Sequence, residues 1–286
     1  MEMRGSRNRS TDGREVVRNN VSGCILNLKS LKVSALVVLI FICCASSVWA
    51  GPPFVTDDPE PVEYKHGEFY VASVTNHNTE GTSGTLPHFE FNYGPLPDVH
   101  LHVIVPFAYN EPRHESMKWG YGMTELGVKY RFVHETESIP MVGTFPIVEL
   151  PTSDTTKGLG EHGTKVFLPI WLQKSFGPWT IYGGGGYWYN PGAEDNKNFW
   201  QSGLVVMREL SKTISVGGEI YDFTARTKGD KNVTGFNLGT VINVTDDHHI
   251  LFSAGRDFTG TNKNTFNMYI AYQLTFGPHE EKKEEK

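Results

Sequence analysis

Cysteine is confined to the start of this 286-residue chain, where Cys24, Cys43 and Cys44 are the only three. From residue 51 onward, disulfides, thiol catalysis and cysteine metal sites are therefore excluded. The same part of the sequence has no stretch approaching ~18 consecutive apolar residues, which excludes a helical membrane span. It also has no long 3.6-residue periodicity, so long amphipathic helices are not expected.

Positive charge is scarce beyond residue 50. The chain carries 26 Lys and Arg against 32 Asp and Glu, and residues 1–50 hold seven of the former and three of the latter. The remainder therefore has 19 positive and 29 negative side chains, a net charge of −10. A balance this acidic disfavours nucleic acid as a partner.

Residues 1–50 have the features of a secretory signal peptide with an extended polar n-region. Two lysines precede an apolar run over residues 33–44, and Ala50 offers a small residue for cleavage. The run is short for a spanning helix, which needs ~20 apolar residues. We therefore predict export through a signal peptide that is cleaved after Ala50. An uncleaved N-terminal anchor is the alternative.

The rest of the chain is rich in glycine (30 residues in all) and in aromatic residues (12%), which is typical of sheet proteins. Residues 51–66 are rich in Pro and Asp and predict an extended periplasmic lead-in. Residues 277–286 predict a charged, disordered tail. Between them, alternating segments of about ten residues predict twelve strands. These are 67–77, 85–93, 99–109, 119–133, 140–150, 164–176, 179–190, 198–210, 213–225, 233–244, 248–258 and 265–276.

The connections between these segments differ in length. After the even-numbered segments they are mostly short, and after the odd-numbered ones they tend to be longer and more polar. This asymmetry is typical of an outer-membrane barrel, whose turns face the periplasm and whose loops face outside. We therefore predict an all-β fold, a transmembrane antiparallel up-and-down β-barrel of about 12 strands over residues 67–276. A soluble sandwich is the alternative, because its strands also alternate.

The alternation predicts which face meets lipid. In "YGMTELGVKYRF" (121–132) the charged residues Glu125, Lys129 and Arg131 all lie at odd positions. A Lys or Arg against mid-bilayer lipid would cost ~2–4 kcal/mol, so the odd face should point inward. The last strand, 267–276, has one wholly apolar face and resembles the terminal strand that the barrel-assembly machinery recognises. Lipid and that machinery are therefore expected partners.

Two finer predictions concern neighbours and aromatic residues. Pairing the second and third strands through "GPLPD" places Tyr93 opposite Val99, and therefore Asn92 opposite His100 and Glu90 opposite His102. Trp119, Trp179, Trp188 and Trp200 lie near predicted strand ends, where interfacial girdles belong, whereas Trp171 falls in mid-segment and does not fit.

Inward-facing polar side chains are the candidate lumen lining. A barrel of twelve strands is narrower than a porin, so side chains partly fill it. The candidates could line a small polar pathway, or they could pair and plug the lumen, because inward charges must pair to offset desolvation. They are Glu90, His100, His102, Glu125, Lys129, Arg131, Glu149, Glu209, Glu219 and Arg256.

Catalytic and metal-binding chemistry has less support. There is no G-x-S-x-G motif and no compact His/Ser grouping, so a lipid hydrolase is disfavoured and we predict no enzyme activity. His100 and His102 share a strand face near His88 and Glu90, a spacing that can ligate a metal. Hydrogen-bonded lumen histidines are the favoured interpretation, and no cofactor is implied.

Several segments together resemble one family. They are "GPPFVTDDPEPVEY", "GMTELGVKYRF", "VGTFPIVELPT", "LPIWLQKSFGPWTIYGGGGYWYNPG" and "VGGEIY". They are similar to the bacterial outer-membrane "transporter" family labelled MetA-pathway of phenol degradation, over nearly all of residues 51–276. That family is expected to carry an acidic residue after the glycines of the fourth strand, where this chain has Met123 and Thr124.

The resemblance implies a barrel that passes small molecules, aromatic or hydrophobic ones among them. We therefore predict passive diffusion of small-molecule solutes through a narrow polar lumen. The alternative is a plugged structural barrel, or a surface-binding barrel whose loops 151–163 and 191–197 contact a partner.

Overall fold

The computed structural model describes residues 53–278, which form a closed antiparallel sheet. Each strand pairs with a neighbour, and the last pairs with the first over Gly67–His77 and Phe266–Phe276. The predicted signal peptide and most of the predicted tail lie outside the described residues. The strands are β1 (Gly67–His77), β2 (Gly81–Leu96), β3 (Val99–Pro112), β4 (Lys118–Tyr121), β5 (Thr124–Val133), β6 (Met141–Thr144), β7 (Ile147–Leu150), β8 (Lys165–Phe176), β9 (Trp179–Tyr189), β10 (Phe199–Glu209), β11 (Ile214–Phe223), β12 (Val233–Asn243), β13 (His248–Asp257) and β14 (Phe266–Phe276).

Two of the wall strands are interrupted. β4 and β5 both pair with β3, on consecutive stretches, and β6 and β7 lie in line between β5 and β8. The second break falls at Pro146, which has no N–H to donate to a ladder. If β4 and β5 are counted as one strand, and β6 and β7 as another, residues 53–278 form twelve wall strands. The predicted barrel is confirmed. No helix in this range is long and apolar enough to cross a bilayer.

Side chains alternate across the wall as the period of two requires. On β14, Ile270 and Tyr272 are exposed on the outer surface, while Ala271 and Gln273 are buried inside. On β5, Val128 is 44% exposed and Lys129 only 3% exposed. The outer surface is therefore apolar and the charged residues of β5 point into the barrel.

The pairing of β2 with β3 differs from the prediction by two residues. Tyr93 lies opposite Leu101 and Asn92 opposite His102, so the predicted register was wrong. β2 continues to Leu96, which pairs with Val99, and the turn shrinks to two residues. Asp98 adopts a φ of 63°, which this short polar residue tolerates better than most. A shift of two residues leaves both faces unchanged.

The tryptophans divide between the two faces. Trp119, Trp179 and Trp200 are exposed on the outside, as expected for girdle residues. Trp188 points inward and is 8% exposed, so its assignment to a girdle was wrong. The inward positions of β9 are the even ones, and Trp188 is among them. Trp171 is also inside, with 1% of its surface exposed.

The two ends of the barrel are distinguished by their connections. We call the end with the two-residue turns 97–98 and 177–178 the turn end, and both barrel termini lie there. The opposite end, the loop end, carries the long connections 151–164, 190–198 and 224–232. The first connection at the loop end has only three residues, because β2 already begins at Gly81.

Asp98, Arg131 and His134 form an ion cluster at the turn end, beside β5. Asp98 accepts hydrogen bonds from Arg131 Nε at 2.9 Å and Nη2 at 2.6 Å, and His134 Nε2 lies 3.0 Å from its other oxygen. Partial burial would raise the pKa of Asp98, but Arg131 and His134 together hold it below its ordinary value. A carboxyl whose pKa is lowered on folding stabilises the folded state above its unfolded pKa, and loses that contribution as the pH falls through the folded value.

We therefore expect Asp98→Asn to lower the urea midpoint of the folded barrel at pH 7. Asparagine also tolerates positive φ, so the change removes charge with little backbone strain. The difference from wild type should shrink below a pH of about 3.9, the ordinary pKa of aspartate, because the unfolded chain protonates there first, and it should vanish once the pH falls through the lower pKa of the folded state. An equal difference at pH 7 and pH 3 would mean that the ion cluster does not stabilise the barrel.

Candidate functional site

Residues 53–63, which we call the inner segment, run inside the barrel. Ser253 Oγ donates to the Pro53 carbonyl at 2.5 Å, and Gln201 Nε2 donates to the Val55 carbonyl at 3.2 Å. The Val62 N–H donates to His100 Nδ1 at 3.2 Å. The three wall residues belong to β13, β10 and β3, so the segment crosses the lumen. The predicted lead-in is irregular in structure, but nothing in its composition indicates a place in the lumen.

Two of the predicted lumen residues anchor this segment. The Glu219 carboxylate accepts the backbone N–H groups of Val55 at 3.1 Å and Thr56 at 2.5 Å. Lys129 Nζ lies 2.8 Å from Asp57 and 3.5 Å from Asp58, which is fully buried. A buried charge is tolerated when it is paired in this way. Glu219 and Lys129 therefore hold the inner segment as well as facing the lumen.

The wall is also shaped to receive the inner segment. A Cβ atom on Gly203 would collide with the Thr56 hydroxyl, and one on Gly239 would lie 2.9 Å from the Phe54 ring. A Cβ on Gly143 would lie 3.0 Å from Pro59. The three glycines come from three different strands, so the close fit extends around the lumen.

An acidic network lies on the wall formed by β1, β2, β3 and β5. It comprises Glu68, Glu90, Asn92, His102 and Glu125, all of which are buried except the partly buried Glu125. Asn92 Nδ2 donates to Glu90 at 2.8 Å and to Glu68 at 3.3 Å. His102 bridges Asn92 Oδ1 at 2.6 Å and Glu125 at 2.9 Å. Glu68 and Asn92 extend the predicted set of Glu90, His102 and Glu125.

An aromatic wall faces this network. It consists of Phe145, Phe167, Trp171 and Trp188, all buried within one apolar cluster. Phe167 stacks on Trp188 with 4.7 Å between ring centroids and an interplanar angle of 10°. The rings of Phe145 and His102 are nearly perpendicular, with 5.1 Å between their centroids. Phe145 thus connects the apolar side of the lumen to the polar side.

Three cavities in the lumen are lined by residues between 53 and 278, and the smallest, of about 200 Å³, shares Trp188 and Gln201 with the first and Arg226 with the second. The first, of about 310 Å³, lies between the acidic network and the aromatic wall. The second, of about 550 Å³, is lined by residues of the loops 224–232 and 258–265. Phe54, Val55 and Tyr269 line both of these. Phe54 and Val55 of the inner segment therefore lie where the first and second cavities meet.

Comparison with known proteins bears on this arrangement. No family model matches the chain, and no curated protein matches it by sequence. Among solved structures, the barrel is similar to the crystal structure of the COG4313 outer membrane channel from Pseudomonas putida F1. The TM-score is 0.61 at 16% identity, over 80% of this chain and 100% of that one. The chain has the fold of an outer-membrane β-barrel.

A second solved structure is more distant. The translocator domain of the autotransporter NalP from Neisseria meningitidis matches with a TM-score of 0.45 at 10% identity, over 87% of this chain and 95% of that one.

The remaining predicted residues of the barrel are dispersed. Arg131 is at the turn end with Asp98, and Glu149 is paired with Lys165 at 3.2 Å. Glu209 occupies an inward position at the last residue of β10, away from all three cavities. His100 lines the first cavity.

Arg256 was wrongly placed in the lumen. The inward residues of β13 are the odd ones, such as Ser253 and Asp257, and Arg256 is exposed on the outer surface. It lies opposite Phe236, one residue from the end of the strand. From there its long side chain can reach the membrane surface.

Arg226 is a lumen residue that sequence reasoning missed. It belongs to the loop 224–232, and its guanidinium stacks 4.1 Å from the Phe223 ring centroid and 5.2 Å from that of Phe199. It lines the second cavity. A cation over aromatic rings is a recurrent stabilising contact. A lone arginine in a polar loop offers no signal of this position.

The histidines in and beside the acidic network, His88, His100 and His102, show no metal-site geometry. Among residues 53–278, no group of three or more His, Cys, Asp or Glu side chains is arranged to hold a metal ion. His102 is instead hydrogen-bonded to Asn92 and Glu125.

Proposed function

We propose that this protein is an outer-membrane channel that passes small molecules by passive diffusion, aromatic or hydrophobic ones among them. The observation that carries the proposal is a series of lumen cavities, of about 310, 200 and 550 Å³, narrowed by the inner segment and not by the wall. A wall of twelve strands would otherwise enclose a continuous path. The similarity to a solved channel supports the barrel fold, and the family resemblance supports small aromatic solutes.

The decisive experiment measures ion conductance and solute flux through the barrel. Protein purified from the outer membrane of a Gram-negative host is inserted into planar bilayers, and solute flux is followed in liposomes. We expect discrete, small conductance steps and faster entry of small solutes than of disaccharides. Bilayers that stay silent would favour the plugged alternative.

The proposal includes the route to the membrane. Export would use the signal peptide 1–50, and insertion would use the terminal strand β14 as the part that the barrel-assembly machinery reads. Sequencing the N-terminus of the protein in the outer-membrane fraction tests the first step, with Gly51 expected as the first residue. A retained N-terminus would support the anchor alternative.

A plugged structural barrel is the second candidate. The favourable observation is the number of anchors on the inner segment, which include ion pairs with Lys129 and hydrogen bonds with Glu219. Surface binding through residues 151–163 has less support, because Leu159 in that loop is buried and packs near Gly120.

A charge variant at the loop end tests conduction through the second cavity. Arg226→Ala removes a cation from its lining, so the ratio of cation to anion permeability should rise. The measurement is the reversal potential under a potassium chloride gradient. Arg208→Ala is the matched control, because Arg208 lies on the outer face beside Trp179. A shift of the same size in both variants would contradict a path past Arg226.

A further inference from the structure

The first cavity contains two buried carboxylates that have no Lys or Arg partner in the described part of the chain. Glu68 and Glu90 are each 6% exposed and are joined through the side-chain amide of Asn92. Within residues 53–278, neither carboxylate has a Lys or Arg nitrogen within 4.0 Å. Buried carboxylates are costly unless a positive charge or sufficient hydrogen bonds stabilise them. Glu68 also accepts a hydrogen bond from Tyr70 Oη at 2.8 Å, so neutral donors alone, among the described residues, stabilise this pair. A cationic ligand would supply the positive charge that the neighbouring side chains do not provide.

Lys129 and His102 are already paired with other groups, and His88 Nε2 lies 3.9 Å from Glu90, beyond hydrogen-bonding distance. The Lys129 ammonium is bound to Asp57 and Asp58. His102 Nδ1 must carry a proton, because it lies 2.6 Å from Asn92 Oδ1, which can only accept. Its Nε2 lies 2.9 Å from Glu125, so a second proton sits between them. Whichever atom holds that proton, the pair of His102 and Glu125 is neutral as a whole.

Unsatisfied polar atoms concentrate around the same cavity. Residues 53–278 contain eight buried side-chain polar atoms without a hydrogen-bond partner. Four of them belong to residues that line the first cavity, namely His88, His100, Trp171 and Tyr269. His100 and Trp171 are 4% and 1% exposed. Such atoms are rare in folded proteins, so the lining of this cavity is short of hydrogen-bond partners.

The opposite side of the cavity is suited to an aromatic ring. Phe145, Phe167, Trp171 and Trp188 form a continuous apolar surface there. Aromatic rings attract both other rings and organic cations. A cavity of about 310 Å³ is at the lower end of the range for small-molecule pockets, so it suits a single-ring ligand.

We propose that this cavity is a binding site for a small aromatic ammonium ion. The ammonium group lies beside Glu68 and Glu90, and the ring lies against the aromatic wall. The proposal rests on the proposed function in one respect, namely that such a ligand reaches the site as a permeating solute. It goes beyond that function by naming the charge class that the lumen selects.

The test uses three probes with the same ring and different charges: 2-phenylethylammonium, 2-phenylethanol and phenylacetate. Binding to the purified barrel in detergent micelles is followed by tryptophan fluorescence and by calorimetry. We expect the ammonium probe to bind about tenfold more tightly than the alcohol, as a charge-assisted hydrogen bond predicts. Phenylacetate should bind most weakly. Equal binding of the three probes, or binding of none, would overturn the proposal.

Variants locate the site. Glu90→Gln preserves the shape of the side chain and should weaken ammonium binding about tenfold, with little change for 2-phenylethanol. Glu194→Gln, in the exposed loop 190–198, is the control for a general loss of charge and should change nothing. Heat-modifiable migration in gels verifies that each variant is folded. An ammonium affinity unchanged in Glu90→Gln would place the binding elsewhere.

The micelle experiment separates this proposal from the channel itself. Charge-selective binding with silent bilayers would contradict conduction and retain the site. Conduction without any preference among the three probes would retain the channel and remove the site.

Discussion

Deletion of residues 53–61 should raise the conductance of the barrel several-fold. These residues cross the lumen where the first and second cavities meet, and the wall is complete without them, since β1 begins only at Gly67. Removing them would widen the path through the cavities. The measurement is single-channel current in planar bilayers, with far-UV circular dichroism as the control for strand content.

The deletion leaves Lys129 and Glu219 without their partners on the inner segment. Both side chains would then face a water-filled lumen, where an unpaired charge is far less costly than in a dry interior. We therefore expect the barrel to fold. A folded deletion variant with unchanged conductance would show that the inner segment does not obstruct the path.

A pair of glycine variants tests the same point without deletion. In Gly203→Ala, the new methyl group would collide with the Thr56 hydroxyl and should displace the inner segment, so conductance should rise. Gly218→Ala is the control, because its methyl group would lie on the outer face, 3.3 Å from Leu238. Equal conductance in the two variants would argue against a close fit between the wall and the inner segment.

Val128→Arg should largely prevent folding into lipid, whereas Lys129→Gln should not. Val128 lies in the middle of β5 on the outer face. An arginine near the bilayer midplane costs ~2–4 kcal/mol, a large share of the stability of most proteins. The measurement is the folded fraction after refolding into liposomes, and Val128→Leu is the control that keeps the face apolar.

Lys129→Gln acts on the lumen instead. It removes the ion pairs with Asp57 and Asp58 and leaves the lipid-facing surface intact. The barrel should therefore form, while the inner segment loses one anchor and conductance rises. If both variants folded equally well, or failed equally, the assignment of inner and outer faces would be wrong.

The strands and their faces could be predicted from the sequence because both depend on local alternation. In the segment 267–276, successive side chains point to opposite faces of the sheet. The face that contacts lipid must be apolar, so the pattern identifies the outer face. The same rule assigned Lys129 to the inside and Val128 to the outside. Glu90, His102 and Glu125 were placed on the inner face in the same way. The predicted partner of Asn92 on β3 was His100, two residues away from its actual partner His102.

Other features required the closed barrel. Alternation states whether a residue points inward, but which residue lies opposite depends on the turn, as the β2–β3 register shows. Arg256 was assigned to the lumen because it is charged, and Trp188 to a girdle because it lies near a strand end. Neither feature establishes whether the odd or the even residues of a strand point inward, which is the parity of the strand. Parity is set by the pairing along its whole length.

The sequence by itself predicted a barrel with an apolar outside, because the period of two defines two faces, the unequal connections favour a membrane barrel, and charge in lipid is costly. Only the tertiary structure decided what fills the lumen. The inner segment has no periodicity, so its place depends on partners as distant in sequence as Gln201 and Ser253. Such contacts form only when the sheet has closed around the segment, because closure brings those strands within hydrogen-bonding distance.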